Sequence, residues 1–221
     1  HTIYDTYPHY KRFKDPEFAY GVALANTAGL ITLRLANADV LPLNFTQWYS
    51  TVSNYLTEII NETESMRKDV LKHNKMVEKN TYQLAADPTK KIKSPSKKDM
   101  VPYIDFSPLQ NELVILNESI TEFEKINTTS LSIEMRNELN KKLMKAEHML
   151  TSEKGLPRRP WFKHQIYAPG FYTGYGVKTL PGVREAIEQK DWKEAQEQIE
   201  ILTSTFKSFN TFIIEMNASI K

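Results

Sequence analysis

The chain has 221 residues, 40% hydrophobic and 25% charged, which is enough apolar material for a packed core and argues against default disorder. Its 29 basic and 27 acidic residues leave a net charge of +2, giving no electrostatic case for a nucleic-acid partner. There is no cysteine, so disulfides and thiolate metal sites are excluded.

The chain opens on His1, followed by five aromatics, Tyr4, Tyr7, Tyr10, Phe13 and Phe18. Asp15-Pro16 is a helix-start pair: the carboxylate can accept from first-turn N–H groups, and proline fits the first helical position. With Pro42 beyond its end, this predicts a helix from Pro16 to about Ala38. That helix is apolar nearly all round, so its expected place is the centre of the core. Its apolar stretch, Phe18 to Leu35, is interrupted by Asn26, Thr27, Thr32 and Arg34. No stretch is long enough to span a membrane and no signal peptide is visible, so an anchor is expected only outside this chain.

A second helix is expected from about Thr46 to Lys72, with Trp48, Val52, Tyr55, Ile59, Met66 and Val70 on or near one face. "AADPTKKIKSPSKKDMVPY" follows, with five lysines between Lys90 and Lys98 and three prolines, and reads as a flexible loop over about 86–104. Such a loop is either a patch for anionic lipid or an acidic partner, or simply solvated; the lack of aromatics in its basic core favours the second.

Ser107-Pro108-x-Gln110 predicts a capped helix start, with Leu109, Leu113, Leu116, Ile120 and Phe123 on the buried face. A fourth helix is expected from Ser132, carrying Met135, Leu139, Leu143, Ala146 and Leu150 on one stripe. Residues 155–182, rich in Gly, Pro and aromatics, have no helical period and read as one long structured loop. The last helix starts at Asp191, with Glu194 completing its cap. Ala195, Ile199, Leu202, Phe206, Phe209, Ile213 and Met216 form a sustained seam, widened by Ile201 and Phe212, which could face a second subunit. The expected fold is all-α: an antiparallel helical bundle with one long structured Gly/Pro/aromatic loop.

Asn-x-Ser/Thr sequons stand at Asn44, Asn61, Asn117, Asn127 and Asn217, candidate glycosylation sites that tilt the expectation towards a lumenal compartment. No hydrolase motif is complete, and the five histidines (His1, His9, His73, His148, His164) are not at metal-ligand spacing from one another.

"HTIYDTY", "DPEFAY" and "LPRRPWFKHQIYAPGFYTGYGVKTLPG" together resemble the C-terminal part of the glutamate carboxypeptidase II and transferrin receptor family, the M28-type zinc peptidases and their inactive relatives. The resemblance implies that residues 1–15 are the tail of an upstream protease-like domain and that 16–221 form a helical dimerisation domain. It implies that His1 matches the last protein ligand of a two-zinc site whose other ligands lie upstream. A catalytic zinc needs at least three protein ligands. No catalytic residue and no cofactor are therefore expected in this chain alone, with zinc belonging to the whole protein if that is active. In glutamate-releasing relatives a lysine-tyrosine pair holds the released glutamate. Here it matches Gly174-Tyr175, so the tyrosine for the α-carboxylate is kept and the lysine is replaced. The alternative for Tyr175 is an aromatic packed on the bundle.

The resulting expectation is a homodimerisation domain of a zinc-carboxypeptidase-like glycoprotein that also lends loop residues to the active-site region. Its partners would be a second copy and the upstream domain, with no nucleic acid. Its location would be the secretory pathway, the vacuolar lumen or the cell surface, as the lumenal part of a membrane-anchored protein. Two alternatives stay open: part of an active metallocarboxypeptidase, or a helical adaptor that binds lipid or protein through the lysine-rich loop.

Overall fold

A computed structural model describes residues 2–91 and 93–220. In chain order its elements are α1 (Tyr7–His9, continuing into a π-helical turn, Tyr10–Lys14), α2 (Ala19–Ala36), α3 (Phe45–Glu78), α4 (Thr81–Leu84), α5 (Ser107–Glu124), α6 (Ile133–Leu143), β1 (Tyr167–Pro169), β2 (Val177–Thr179), α7 (Pro181–Glu188) and α8 (Trp192–Ala218). Short 3-10 turns cover Thr128–Ser130 and Ala146–Leu150. The fold is mostly helical, as the periodicities predict. The chain divides into two compact units: residues up to Leu43 with Thr128–Leu143, and Asn44–Asn127 with the residues from Met144 on.

The second unit holds the bundle. α8 packs against α5, α7 and the 3-10 turn at 146–150, and α5 packs against α3. The stripe read from the sequence is the one buried: Ala195, Ile199, Leu202, Phe206, Phe209, Ile213 and Met216 on α8, and Leu109, Leu113, Leu116, Ile120 and Phe123 on α5. Phe45 and Trp48 of α3 meet Phe209 edge-on or tilted, with ring centroids 5.9 and 4.9 Å away. Asp191 caps α8 by accepting from Glu194 N (3.0 Å), and Asn44 caps α3 by accepting from Gln47 N (2.7 Å). The capping box expected at Ser107 is not formed. Asp105 instead accepts from both the N–H and the hydroxyl of Ser107, because the helix begins at Ser107 itself, one residue earlier than a Ser107 cap requires.

Two expectations about the bundle are corrected. Its fourth member is not one helix from Ser132 to Leu150. The stripe breaks after Leu143, α6 falls in the other unit, and the places beside α8 go to Ala146–Leu150 and to α7. α7 starts on the last two residues of the Gly/Pro-rich run and continues to Glu188, where no helix is expected: Pro181 sits at its first position, where a missing N–H costs nothing, and Leu180 before it takes a left-handed conformation (φ 47°).

In the first unit, α2 runs from Ala19 rather than Pro16, after Phe18 turns left-handed (φ 56°). Asp15 still serves its start. Its buried carboxylate accepts from Gly21 N (2.9 Å), Tyr20 N (3.2 Å) and the Tyr10 hydroxyl (3.2 Å). Burial pushes the Asp15 pKa up, but these donors outweigh it and hold the carboxyl below its ordinary range. α6 is tied to the segment after α2 by the Asn140 amide, which donates to Asp39 O (2.9 Å) and accepts from Leu41 N (2.8 Å). The central position expected for α2 is overturned: not one of its residues is buried. Its apolar residues lie on opposite sides of the axis, so no single packing face exists for a bundle to use.

Candidate functional site

Residues 155–180 carry the sequence features singled out above, and the fold pins them at one end and frees them at the other. Gly155 (φ 64°) makes the first turn; a Cβ there would stand 2.2 Å from Pro160 O, so only glycine fits. The chain then passes Arg159, whose side chain is 3% exposed and whose Nη2 lies 2.8 Å from Oε2 of Glu185 on α7, itself 7% exposed. The other Glu185 oxygen accepts from Phe171 N (2.8 Å). The Arg159 guanidinium also stands over the rings of Phe171 and Phe162 (5.7 and 6.0 Å to the centroids). One buried carboxylate thus ties Arg159, near the start of the loop, to Phe171 at the start of the β1–β2 connection, and losing either charge would strand the other.

β1 and β2 pair antiparallel, Tyr167 opposite Thr179 and Pro169 opposite Val177. Their connection closes through Gly170 N donating to Gly176 O (2.8 Å). At its tip Gly174 (φ 62°) faces open space and Tyr175 is 97% exposed, with Phe171 and Tyr172 beside them also exposed. Tyr175 therefore does not pack on the bundle. Lys178, four residues on from Gly174, is engaged: its Nζ lies 2.6 and 2.8 Å from the two oxygens of Glu188.

A second polar cluster lies under β1. Glu147 Oε1 accepts from the Tyr167 hydroxyl and lies 2.8 Å from His164 Nε2. His164 Nδ1 faces the N–H groups of Ile166 and Tyr167 (3.2 and 3.4 Å), so the ring proton belongs on Nε2, pointing at Glu147. The hydrogen bond to Glu147, with lesser contributions from burial and the carboxylate charge, pushes the Tyr167 pKa up to about 12. Neither this cluster nor the Arg159–Glu185 pair leaves a pattern in the sequence, because the partners lie far apart along the chain.

His1, the residue that the resemblance makes a zinc ligand, lies outside the described residues. Among the described residues no group of three His, Cys, Asp or Glu side chains could hold a metal ion. A zinc site would need donors from elsewhere. Of the sequons, Asn44 and Asn61 are exposed and Asn117 is half-buried. Asn127 is exposed. Asn217 is buried and its Nδ2 donates to Ser119 O (3.1 Å), leaving no room for a glycan in the folded state.

The lysine-rich segment is not flexible throughout. From Ser96 to Pro102 it is strapped along α3. Ser96 O lies 3.0 Å from His73 Nε2, and Arg67 donates to Pro102 O (2.7 Å). The Asn74 amide donates to Lys98 O and accepts from Lys98 N, both at 2.8 Å. Periodicity cannot show such a strap, because its anchors are single polar side chains of α3.

Comparison with known proteins agrees with this geometry. Residues 104–213, which include α5, the pinned loop and most of α8, match the transferrin receptor-like dimerisation domain. A probable glutamate carboxypeptidase of Arabidopsis thaliana, LAMP1, is 32% identical over 206 residues, covering 90% of this chain and 25% of that protein. A probable glutamate carboxypeptidase of Arthroderma benhamiae is 28% identical over 204 residues, covering 90% of this chain and 24% of that protein. A Schizosaccharomyces pombe protein named as an inactive zinc metalloprotease is 29% identical over 101 residues, 43% of this chain and 13% of its own length. The chain spans about a quarter of the two carboxypeptidase-like relatives. Through residues 104–213 the chain belongs to the transferrin receptor-like dimerisation domain family, within the glutamate carboxypeptidase II and transferrin receptor group.

Proposed function

We propose that this chain is the self-association module of a larger zinc-peptidase-like protein and that α2 is the part of it seated against a protease-like domain upstream. The observation that carries the reading is α2 itself. It has 18 residues, apolar on opposite sides and none buried, and it lies outside the family-matched residues 104–213. Exposed apolar area of this extent marks a surface awaiting a partner. No single helix among the described residues is long and apolar enough to cross a membrane; α2 passes only when joined to residues 7–14 across a 92° bend.

Self-association is assigned to the bundle, where Val114 and Ile115 of α5 are exposed within the matched region. A stable two-fold dimer should bury at least about 1,200 Å² in total. Light scattering on the chain is expected to show a dimer at micromolar concentration, and V114E/I115E a folded monomer. Hydrogen exchange tests the other half: the α2 amides should exchange rapidly in this chain and slowly in the full-length protein. Equal exchange in both would refute the seating of α2, whatever the oligomeric state.

If the full protein is an active zinc carboxypeptidase, it should not prefer a C-terminal glutamate. A side-chain carboxylate entering a partly dry pocket needs a cation. Gly174 supplies none, and Lys178 is held by Glu188. Rates on dipeptides ending in glutamate and in leucine decide this, with leucine expected to be faster. The exposed sequons at Asn44 and Asn61 support a glycoprotein on the lumenal side of the secretory pathway or vacuole, and mobility of the expressed protein before and after deglycosylation tests it.

A further inference from the structure

The distal part of α3 does nothing for the core. Thr63 is its last buried residue, and the 15 positions from 64 to 78 extend about 22 Å further with none buried. They are held instead by the strap from Ser96 to Pro102. Between helix and strap lies an open groove of about 710 Å³, within the range of roughly 300–1,000 Å³ typical of ligand clefts. Its apolar members are Leu71 on the helix and Met100 on the strap, each about half exposed. Around them stand Lys72, Lys75, Lys97 and Lys98 against Glu78 and Asp99. Lys97 is paired with Glu78 at 2.7 Å, which holds that carboxyl below its ordinary range. Lys72, Lys75 and Lys98 have no carboxylate partner among the described residues, and Lys72 and Lys75 lie one turn apart on the helix.

We propose that this groove is a docking site for an acidic peptide segment of another protein, one that places an apolar side chain between Leu71 and Met100 and its carboxylates on Lys72, Lys75 and Lys98. Three observations select that occupant. The unpaired charge is net cationic, Lys72, Lys75 and Lys98 against Asp99, so the complementary partner is anionic. The site is a groove with an apolar floor, which an extended chain can enter and the flat surface of a bilayer cannot. Its free cations are lysines, with Arg67 spent on the strap and no aromatic ring in the lining, so the forked phosphate contacts and base stacking of a nucleic-acid site are missing. Lysine stems lying along Leu71 and Met100 would cover the bound apolar side chain while their ammonium groups stay hydrated. The site is separate from the pinned loop and does not depend on the dimerisation reading.

The experiment is fluorescence anisotropy with the labelled peptide Glu-Leu-Glu-Asp-Leu-Glu, the whole chain, and the variants K72E/K75E and L71S. Circular dichroism confirms that the variants fold, which the exposure of all three positions makes the expected result. Saturable binding is expected. It should weaken about tenfold or more in K72E/K75E and fall with added salt, because exposed charges are screened beyond about 8 Å at physiological ionic strength. L71S should weaken binding without changing the salt dependence. A peptide with Gln in place of every Glu and Asn in place of Asp should not bind. The proposal is overturned if the acidic peptide does not bind, if the Gln/Asn peptide binds equally, or if charge reversal at Lys72 and Lys75 has no effect. It is also overturned if vesicles rich in phosphatidylserine bind the chain through these lysines while the peptide does not.

Discussion

Helices α2 and α8 differ in how their apolar residues are arranged about the axis, and that arrangement decides which of them the chain can bury. On α8, Ala195, Ile199, Leu202, Phe206, Phe209, Ile213 and Met216 recur at spacings of three and four and fall on one side of the cylinder. Glu197, Glu200, Lys207 and Glu215 face water on the other. On α2, Val22 and Leu33 lie on one side and Leu24, Ile31 and Leu35 on the opposite one, and all are exposed. A high apolar content alone therefore says that a helix will be covered by something. Only the stripe says that a neighbour within the same bundle can do it.

The contrast can be broken most decisively by truncating one large side chain on each helix. Phe206 is fully buried, with Trp48 edge-on at 6.1 Å. Phe206→Ala should cost about 3–5 kcal/mol in urea-induced unfolding. Leu24→Ala, removing a similarly apolar group from α2, should change the same transition by less than about 0.5 kcal/mol. A large loss from Leu24→Ala would mean that α2 is packed in solution.

Helix starts give a smaller effect. Asp191→Ala removes the α8 cap and should cost about 1 kcal/mol, read as a lower denaturation midpoint with an unchanged m-value. Asp15→Ala should leave that midpoint unchanged and show only as faster amide exchange at Tyr20 and Gly21. The Asp15 contribution has a definite sign in pH. Its folded pKa is depressed, so the tether is in force above the unfolded carboxyl range and is lost as pH falls through the folded value.

The smallest effect is spectroscopic. Phenolate absorbance should show Tyr167 titrating near pH 12, and Glu147→Gln should bring it back towards the ordinary tyrosine value. Because the folded pKa is raised, the contribution of this hydrogen bond is whole below the unfolded tyrosine pKa and disappears as pH climbs through about 12.

The bundle was legible in the sequence wherever apolar spacing alone decides burial. The stripes of α5 and α8 and the cap at Asp191 are local patterns, and the fold uses them as they stand. What was not legible depends on side chains distant in sequence. Asn74 holds Lys98 across 24 residues, and Glu185 waits for Arg159 and Phe171. α7 is not legible because Pro181 and Gly182 look like loop residues. Yet proline is a good first helical residue, and Gly182 lets the helix approach Gln198, whose Oε1 would stand 2.4 Å from an added Cβ. The loop tip at Gly174-Tyr175 was legible only by resemblance; the engagement of Lys178 by Glu188 was not legible at all.

Asn217 carries a consequence for timing. Its amide nitrogen is the atom that a sugar would be attached to, and in the folded chain the same atom bonds Ser119 O while the side chain lies within the bundle. Attachment and closure are thus rivals for one nitrogen. A glycan transferred to the extended chain would act as a wedge between α5 and α8, and a chain that closes first removes its own acceptor. Occupancy at this position would therefore report the rate of folding rather than the access of the modifying enzyme, and would rise in any variant slow to seat its last helix.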